Sequence, residues 1–209
     1  MRPLVVGIAG GSGSGKTSLI QLIRSRVGAD KVTIISQDDY YHPIDQQVTD
    51  ENGEINFDLP NSIDSQRLSK HINELIKGRT LSIQRYTFNN ESDSSEEILL
   101  KPNPIILVEG LFVFHYSHVH DLFDMTVFVE AHVKTRLQRR LIRDRTERGY
   151  EEDVVIYQWE NHVEPAYKSY LLPFRDKVDF TVDNEVDMST DIQEIISIIQ
   201  KEVDSRPLL

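Results

Sequence analysis

The sequence contains no cysteine, which excludes disulfide bonds, thiolate metal sites and a cysteine nucleophile. No apolar run approaches the length of a membrane-spanning helix, and the apolar start of the chain is too short for a signal peptide. We therefore expect a soluble cytoplasmic protein that has no membrane partner.

Positive charge is also scarce, because 23 lysine and arginine residues face 34 aspartate and glutamate residues, for a formal net charge of -11. A field of this sign repels polyphosphate surfaces, so we expect no nucleic-acid partner. An anion could bind only at a site that is built locally from backbone groups and a few basic side chains.

Short apolar runs alternate with amphipathic stretches along the 209 residues, as expected for one α/β domain over 1–209. Buried strands are predicted at 4–9, 32–35, 105–108, 125–129 and 180–182. Helices are predicted at 17–27, 63–76, 133–146, 153–171, with a break near Pro165, and 192–203. This order indicates a parallel sheet covered on both faces, with a small hairpin inserted at 81–88 and 98–101.

The first predicted strand runs directly into the glycine-rich segment 10–17, which reads GGSGSGKT. A loop that wraps a triphosphate needs inward-pointing N–H groups and unusual dihedrals, which glycine permits. Lysine at the end of such a loop reaches the β and γ phosphates, and the next hydroxyl faces Mg²⁺. A chance glycine-rich turn is disfavoured because a strand precedes the segment and a helix follows it. The predicted triphosphate-binding residues are Gly11, Ser12, Gly13, Ser14, Gly15, Lys16 and Thr17.

Two carboxylates are placed to accompany this loop. Asp38 follows the second strand, so it would lie at the carboxyl edge of the sheet, where ligands bind in such folds. It is the candidate base for phosphoryl transfer, although an aspartate that caps its own loop and the neighbouring Asp39 are alternatives. Glu109 ends the most apolar strand and is the candidate Mg²⁺ residue, against the alternative of a half-exposed strand end.

Arginines recur at i, i+3, i+4 and i+7 on the predicted helix 133–146, beside an apolar stripe of Val133, Leu137 and Leu141. In an acidic chain this concentration predicts a local anion clamp that neutralises a transferring phosphoryl group. For any single arginine, a solvated helix face with Asp144 and Glu147 as partners is the alternative. The arginines are Arg136, Arg139, Arg140 and Arg143, followed by Arg145 and Arg148.

These motifs, together with SQD at 36–38, NFDLP at 56–60, Tyr86, Phe88 and VEG at 108–110, resemble the uridine-cytidine kinase family. That family belongs to a broader group that includes phosphoribulokinase and pantothenate kinase, and the matching motifs run across most of the chain. The resemblance implies a P-loop three-layer α/β/α sandwich with a five-stranded parallel sheet. It also implies an enzyme that uses Mg²⁺ to transfer the γ-phosphoryl group of ATP or GTP to the 5′ hydroxyl of a pyrimidine nucleoside. Family members are often homo-oligomers, but no stretch identifies an interface.

The resemblance also implies residue roles. Asp38 would act as base, with Lys16, Arg143 and Arg148 on the phosphates. The ribose would be held by Asp58, Tyr86 and Arg140. The nucleobase would be walled by Tyr41, Phe57 and Phe88, and Mg²⁺ would be held by Thr17 and Glu109. The hairpin, about 80–101, would bind substrate, and an arginine-rich lid would span about 136–152.

Two positions depart from the family pattern. The hairpin usually supplies a histidine that reads the pyrimidine edge, where this chain has Glu91, and the lid often carries a second arginine, where this chain has Tyr150. Phosphorylation of a ribose-like hydroxyl is therefore better supported than uridine specificity. A kinase for another small hydroxylated metabolite and a nucleotide-binding regulatory module remain the alternatives.

Histidines offer no recognisable ligand set. His118 and His120 flank a valine on a short polar turn, and no third ligand lies in register with them. We therefore predict no metal or acid–base role for these two, nor for His42, His115 and His162.

Overall fold

The computed structural model describes residues 2–86, 96–185 and 189–205. Its strands are β1 Leu4–Gly10, β2 Val32–Ser36, β3 Leu81–Gln84, β4 Glu97–Leu100, β5 Ile105–Gly110, β6 Met125–Glu130 and β7 Phe180–Asp183. Five of them form a parallel sheet in the order β2, β5, β1, β6, β7. The predicted five-stranded parallel sheet is confirmed.

The helices are α1 Lys16–Val27, α2 Ser65–Ile76, α3 Ser117–His120, α4 Val133–Glu147, α5 Glu152–Gln158, α6 Glu164–Ala166 and α7 Ser189–Ser205. The interruption predicted near Pro165 takes the form of a change in hydrogen bonding: π turns at Trp159–Val163 and Tyr167–Leu171 flank α6, which contains Pro165. Proline lacks the N–H that a regular α-helix uses at that point, and the backbone at the joints keeps right-handed helical dihedrals. Within the described ranges, no helix is both long and apolar enough to cross a bilayer.

Alternate residues of β1 face opposite sides of the sheet, as the two-residue period of a strand requires. Leu4, Val6 and Ile8 join a buried cluster with α1 and α7, whereas Val5 and Ala9 join a second cluster with α2. All five side chains are buried. Helices therefore cover both faces of the sheet, which confirms the three-layer α/β/α arrangement.

Strands β3 and β4 form the separate antiparallel pair that the sequence predicts, with Leu81 opposite Leu100. Ile83 and Leu100 are buried in the cluster on the α2 side, which fastens the pair to the main sheet. β3 ends at Gln84, earlier than the predicted boundary at residue 88. Phe88 and Glu91 lie outside the described residues.

The carboxyl ends of β1, β2 and β5 meet at one edge of the sheet. Ser36 at the end of β2 is in register with Glu109 of β5, and Ala9 of β1 pairs with Gly110. The glycine loop, the turn that carries Asp38, and Glu109 are therefore neighbours at the edge where parallel α/β sheets bind ligands.

Candidate active site

The glycine loop turns tightly between β1 and α1. Gly13 and Gly15 adopt φ values of 77° and 103° in the left-handed region, and the Ser14 N–H donates to the Gly11 carbonyl over 3.0 Å. Lys16 Nζ donates to the Gly10 carbonyl over 3.0 Å, so the lysine is folded back along the loop. The α1 N-terminus opens at this loop, and its free N–H groups favour an anion.

The loop also offers a polar group that the described part of the chain leaves without a hydrogen bond. Ser14 Oγ is buried and has no hydrogen-bond partner among the described residues. Gly11 lies so close to Arg136 that a Cβ there would come within 2.6 Å of the guanidinium. These features fit a nucleoside triphosphate, whose phosphates need donors and close backbone approach.

Replacing Gly13 by alanine is expected to distort this loop. The left-handed φ costs a residue with a side chain about 1–2 kcal/mol, and a Cβ at this position would also overlap the Arg136 carbonyl. We expect a lower melting temperature and a donor Kd raised about tenfold or more. Gly78→Ala is the control, because Gly78 has a φ of 80° but nothing within 4 Å of an added Cβ. If both variants lose the same amount of thermal stability and donor affinity, the positive φ alone, and not the crowding at Gly13, causes the loss.

The two adjacent aspartates after β2 have different surroundings. Asp38 lines the cleft beside the glycine loop, and its N–H donates to Ser36 Oγ over 3.3 Å. Asp39 instead accepts a bond of 3.1 Å from the Tyr86 N–H, and burial raises the pKa of its carboxyl. Asp39 is therefore bonded to the hairpin side, whereas Asp38 lines the cleft itself.

Glu109 lies between the lysine of the loop and the Asp38 turn. Ser36 Oγ donates to its Oε1 over 2.6 Å, and Lys16 Nζ lies 4.0 Å from its Oε2. Burial raises the pKa of the Glu109 carboxyl, although Lys16 opposes the shift. No group of three or more acidic or histidine side chains within the described residues is arranged around a metal position. One carboxylate and the exposed Thr17 hydroxyl fit Mg²⁺, which keeps several waters and substrate phosphates as ligands.

The buried face of α4 is charged. Arg136, Arg140 and Asp144, spaced four residues apart, are buried at 2%, 8% and 0% exposure, whereas Val133 of the predicted apolar stripe is 39% exposed. The solvated-face alternative is therefore wrong for Arg136 and Arg140. Burial is tolerated because each charge has a partner of opposite sign nearby.

Asp144 is the shared partner of three arginines that face the cleft. Its carboxylate lies 3.1 Å from Arg140 Nε, 2.8 Å from Arg143 Nε and 3.3 Å from Arg148 Nη1. Arg140 and Arg143 also donate to Ser12 Oγ, over 3.1 and 3.4 Å. Arg140 and Arg143 are thereby held against the glycine loop.

Arg136 connects the glycine loop to the region around α6. Its Nη2 donates to Glu164 Oε2 over 2.8 Å, and its guanidinium stacks 4.1 Å from the Tyr167 ring and 5.2 Å from the Trp159 ring. The predicted anion clamp therefore divides into Arg140, Arg143 and Arg148 at the cleft and Arg136 in a bracing position.

These elements surround one cleft that opens to solvent. Of the predicted site residues, ten line it: Ser12, Lys16, Asp38, Tyr41, Phe57, Asp58, Glu109, Arg140, Arg143 and Arg148. The remaining predicted glycines, Ser14 and Thr17 lie in the loop and at the start of α1. Tyr86 stands behind the wall, with its ring 5.0 Å from that of Tyr41.

The end of the cleft opposite the glycine loop combines aromatic rings with a carboxylate. The rings of Tyr41 and Phe57 meet edge to face at 5.5 Å. The Asp58 N–H donates to Asn56 Oδ1 over 2.9 Å, which sets the turn that aims the carboxylate. Burial raises the pKa of the Asp58 carboxyl, and the nearby Arg140 opposes the rise. This end suits a ligand that places a flat ring against the aromatic side chains and hydroxyl groups near the carboxylate.

Sequence reasoning missed several residues of the cleft wall. Gln158 accepts a bond of 3.0 Å from Arg140 Nη2, and His162, to which no role was assigned, lines the cleft and pairs with Asp50 at 2.8 Å. Gln158 and His162 are four residues apart, so helical spacing places them on one face. This spacing could have indicated that the two residues line the cleft, because two polar side chains then share one face of a segment that packs against the domain.

Comparisons with known proteins agree with this geometry. The model of the "Phosphoribulokinase / Uridine kinase family" matches residues 5–191. Uridine-cytidine kinase 2-B of Danio rerio is 34% identical over 208 residues, covering 95% of this chain and 80% of that protein. Uridine kinase of Macrococcus caseolyticus is 33% identical over 201 residues, covering 93% of this chain and 98% of that protein.

Among solved structures, a possible uridine kinase from Bacillus stearothermophilus superposes with a TM-score of 0.60 at 19% identity. The match covers 87% of this chain and 89% of that one, and at this identity it supports the fold alone. The family match over most of the chain, together with the phosphate loop and the acidic and arginine groups around it, shows that this protein is a kinase of the phosphoribulokinase and uridine kinase family.

Proposed function

We propose that this kinase transfers the γ-phosphoryl group of ATP or GTP to the 5′ hydroxyl of a pyrimidine nucleoside. The observation that carries the proposal is one cleft with a phosphate end and an acceptor end. Lys16, Arg143 and Arg148 line the first, and Asp58 with Tyr41 and Phe57 lines the second. Asp38 also lines this cleft, as a base for the acceptor must. The relatives named uridine kinase support the choice of acceptor.

At the phosphate end, the loop N–H groups and Lys16 hold the triphosphate, and Arg143 and Arg148 meet the charge that develops on the γ-phosphoryl group. When Mg²⁺ is bound by the Thr17 hydroxyl and Glu109, it neutralises phosphate charge and orients the donor. The segment of about 136–152 would act as a lid, because it carries these arginines. Its closure would exclude water that competes with the acceptor.

At the acceptor end, the Asp58 carboxylate accepts hydrogen bonds from ribose hydroxyls, with Arg140 and Tyr86 beside it. Tyr41 and Phe57, with Phe88 from the hairpin, provide an apolar wall for the base. Asp38 accepts the proton of the 5′ hydroxyl as its oxygen attacks the γ phosphorus, and the donor diphosphate leaves. The proton on Asp38 then passes to solvent when the products depart.

An acceptor screen tests this proposal. Purified protein with Mg²⁺ and ATP or GTP is expected to form nucleoside monophosphate from uridine or cytidine, measured by coupled release of ADP or GDP. A second candidate is a kinase for another small hydroxylated metabolite, which is favoured by Tyr150 in the cleft wall. Turnover with sugars or hydroxy acids, but with no nucleoside, would decide for that candidate and against ours.

Asp58→Asn is expected to raise the acceptor KM about 10- to 100-fold, because hydrogen bonds to a charged group contribute about 1.5–3 kcal/mol. The donor KM serves as the internal control and should not change. Since the Asp58 pKa is raised by burial above the ordinary value of 3.8, the wild-type acceptor KM should rise as pH falls through that raised value. The variant should lack this dependence. A wild-type KM that stays constant as the pH falls to the ordinary aspartate value of 3.8 would contradict the role given to Asp58.

A further inference from the structure

The segment 48–58 forms a hairpin-like turn at the acceptor end of the cleft. Thr49 and Ile55 form an isolated antiparallel bridge, and the Asn56 N–H donates to the Val48 carbonyl over 2.8 Å. The returning half of the turn carries three residues that line the cleft, namely Ile55, Phe57 and Asp58. The position of this turn therefore sets the shape of the acceptor end.

The Asp50 carboxylate divides its two oxygens between the turn and the rest of the protein. Oδ1 accepts the N–H groups of Asn52 and Glu54, each over 2.9 Å, and so closes the turn internally. Oδ2 accepts the Tyr157 hydroxyl over 2.6 Å and lies 2.8 Å from His162 Nε2. One oxygen shapes the turn, and the other ties it to the chain more than 100 residues later.

A fourth polar group completes this connection. Asn52 Nδ2 donates to the Tyr157 hydroxyl over 2.7 Å, so that hydroxyl is bonded by two residues of the turn. The hydrogen bond from Tyr157, followed by that from His162, lowers the pKa of the Asp50 carboxyl, so it stays charged to a lower pH than an ordinary aspartate. We name the set of Asp50, Asn52, Tyr157 and His162 the Asp50 latch.

His162 brings the latch to the cleft itself. Its side chain is 1% exposed, it lines the cleft, and its ring packs edge to face against Tyr157 at 5.7 Å. The same stretch of chain presents Gln158, which binds the Arg140 guanidinium. The latch thus joins the 48–58 turn to the wall that carries the acceptor-side arginine.

Besides the contacts of Ser12 with Arg140 and Arg143, the phosphate loop has contacts on its other residues. Asn184 Nδ2 donates to the Ser14 carbonyl over 2.7 Å, and Arg139 donates to the Gly13 carbonyl over 3.4 Å. Because these contacts share no residue with the latch, loosening the latch should affect the acceptor end without disturbing the donor end.

We propose that the Asp50 latch is a positioning device for the acceptor: it holds the 48–58 turn closed so that Phe57 and Asp58 meet the substrate in place. This inference rests on the proposed function, since it assumes that the acceptor binds between Phe57, Asp58 and Arg140. The latch residues act through the turn, and none of them is assigned a step in phosphoryl transfer.

Asp50→Asn is a near-isosteric test, because asparagine retains the oxygen that accepts the two N–H groups of the turn. Its amide nitrogen, however, cannot accept the Tyr157 hydroxyl. We expect the acceptor KM to rise about tenfold, with the donor KM and the kcat at saturating acceptor within about twofold of wild type. Tyr157→Phe removes a single oxygen atom and should likewise raise the acceptor KM while leaving the donor KM and kcat nearly unchanged. Asp45→Asn, at an exposed aspartate five residues before Asp50 and outside the 48–58 turn, is the matched control for charge and should change neither constant.

A conservative replacement at His162 separates positioning from bulk packing. His162→Gln places an amide donor near the position of Nε2 and should restore an acceptor KM close to wild type, whereas His162→Leu fills the space without a donor and should not. If Asp50→Asn and Tyr157→Phe leave the acceptor KM unchanged, or raise the donor KM equally, the proposal is wrong.

Hydrogen exchange of the ligand-free protein tests the latch independently of the substrate. Amides of the 48–58 turn should exchange faster in Asp50→Asn and Tyr157→Phe than in wild type and Asp45→Asn, while amides of α1 stay unchanged. Unaltered exchange in the turn would overturn the latch even if the enzyme phosphorylates nucleosides. If wild type phosphorylates no nucleoside, the proposed function fails, and this measurement alone decides whether the latch exists.

Discussion

Asp38→Asn is expected to lower kcat by about 10²- to 10⁴-fold and to leave the Kd of the triphosphate unchanged. Asparagine has nearly the shape of aspartate but accepts no proton from an attacking hydroxyl. Asp38 lies after β2, outside the glycine loop, so the donor contacts remain in place. The loss should therefore fall on the chemical step and not on donor binding.

Single-turnover formation of the phosphorylated acceptor and a separate titration of the nucleotide measure the two quantities. Asp39→Asn is the matched control, because the Asp39 carboxylate accepts a backbone N–H that asparagine would still accept through its amide oxygen. We expect less than about a fivefold effect there. A nucleotide-binding regulatory module would lose neither binding nor signal in Asp38→Asn. Full turnover in this variant would therefore contradict the assigned base.

Asp144→Ala is expected to lower the free energy of unfolding by about 3–5 kcal/mol, since it leaves the buried Arg140 guanidinium, and the partly buried ones of Arg143 and Arg148, without their shared carboxylate. Arg140 and Arg143 would lose partners at 3.1 and 2.8 Å, and Arg148 one at 3.3 Å. This is a large share of the 5–15 kcal/mol or so that stabilises a typical domain. The three arginines would also repel one another, so they should shift away from the phosphate end of the cleft.

Urea denaturation and the donor Kd measure the two consequences for Asp144→Ala. Glu147→Ala is the control, because Glu147 is an exposed acidic residue of the same helix and its replacement should change stability by less than about 0.5 kcal/mol. A loss below about 1 kcal/mol for Asp144→Ala would show that solvent or neighbouring groups compensate the arginines. In that case Asp144 would not organise the arginine group.

Much of the fold follows from local patterns. Each apolar, β-branched run became a strand of the sheet, because a parallel strand covered on both faces must be apolar throughout. The glycine loop was predictable for a similar reason: its function depends on backbone conformation, and glycine is the residue that adopts it. The interruption near Pro165 was also visible, since proline lacks the N–H that a regular α-helix uses.

The residues that set the cleft were predictable in part. The position of Asp38 and Glu109 after strands of one sheet brings them to the phosphate loop, because parallel strands end at a common edge. The sequence alone did not show which of the two adjacent aspartates, Asp38 or Asp39, faces the cleft. The distinction came from the hairpin, whose backbone N–H at Tyr86 takes up the Asp39 carboxylate. That contact joins residues 47 apart in the chain, beyond the reach of any local pattern.

The α4 helix shows most clearly which features follow from the sequence and which depend on tertiary contacts. Its arginine spacing predicted a concentration of positive charge, and that was correct because spacing alone determines which side chains share a helix face. Which arginines are buried depended on the packing of Asp144, the glycine loop and the α6 region around them.

Helical spacing could likewise pair Gln158 with His162, but the partner of His162 lies 112 residues away, at Asp50. Periodicity and glycine spacing in the sequence were therefore enough to establish the sheet, the phosphate loop and the basic helix. The tertiary structure decided which charges are buried and which segments meet, because those contacts join groups that are distant in the chain.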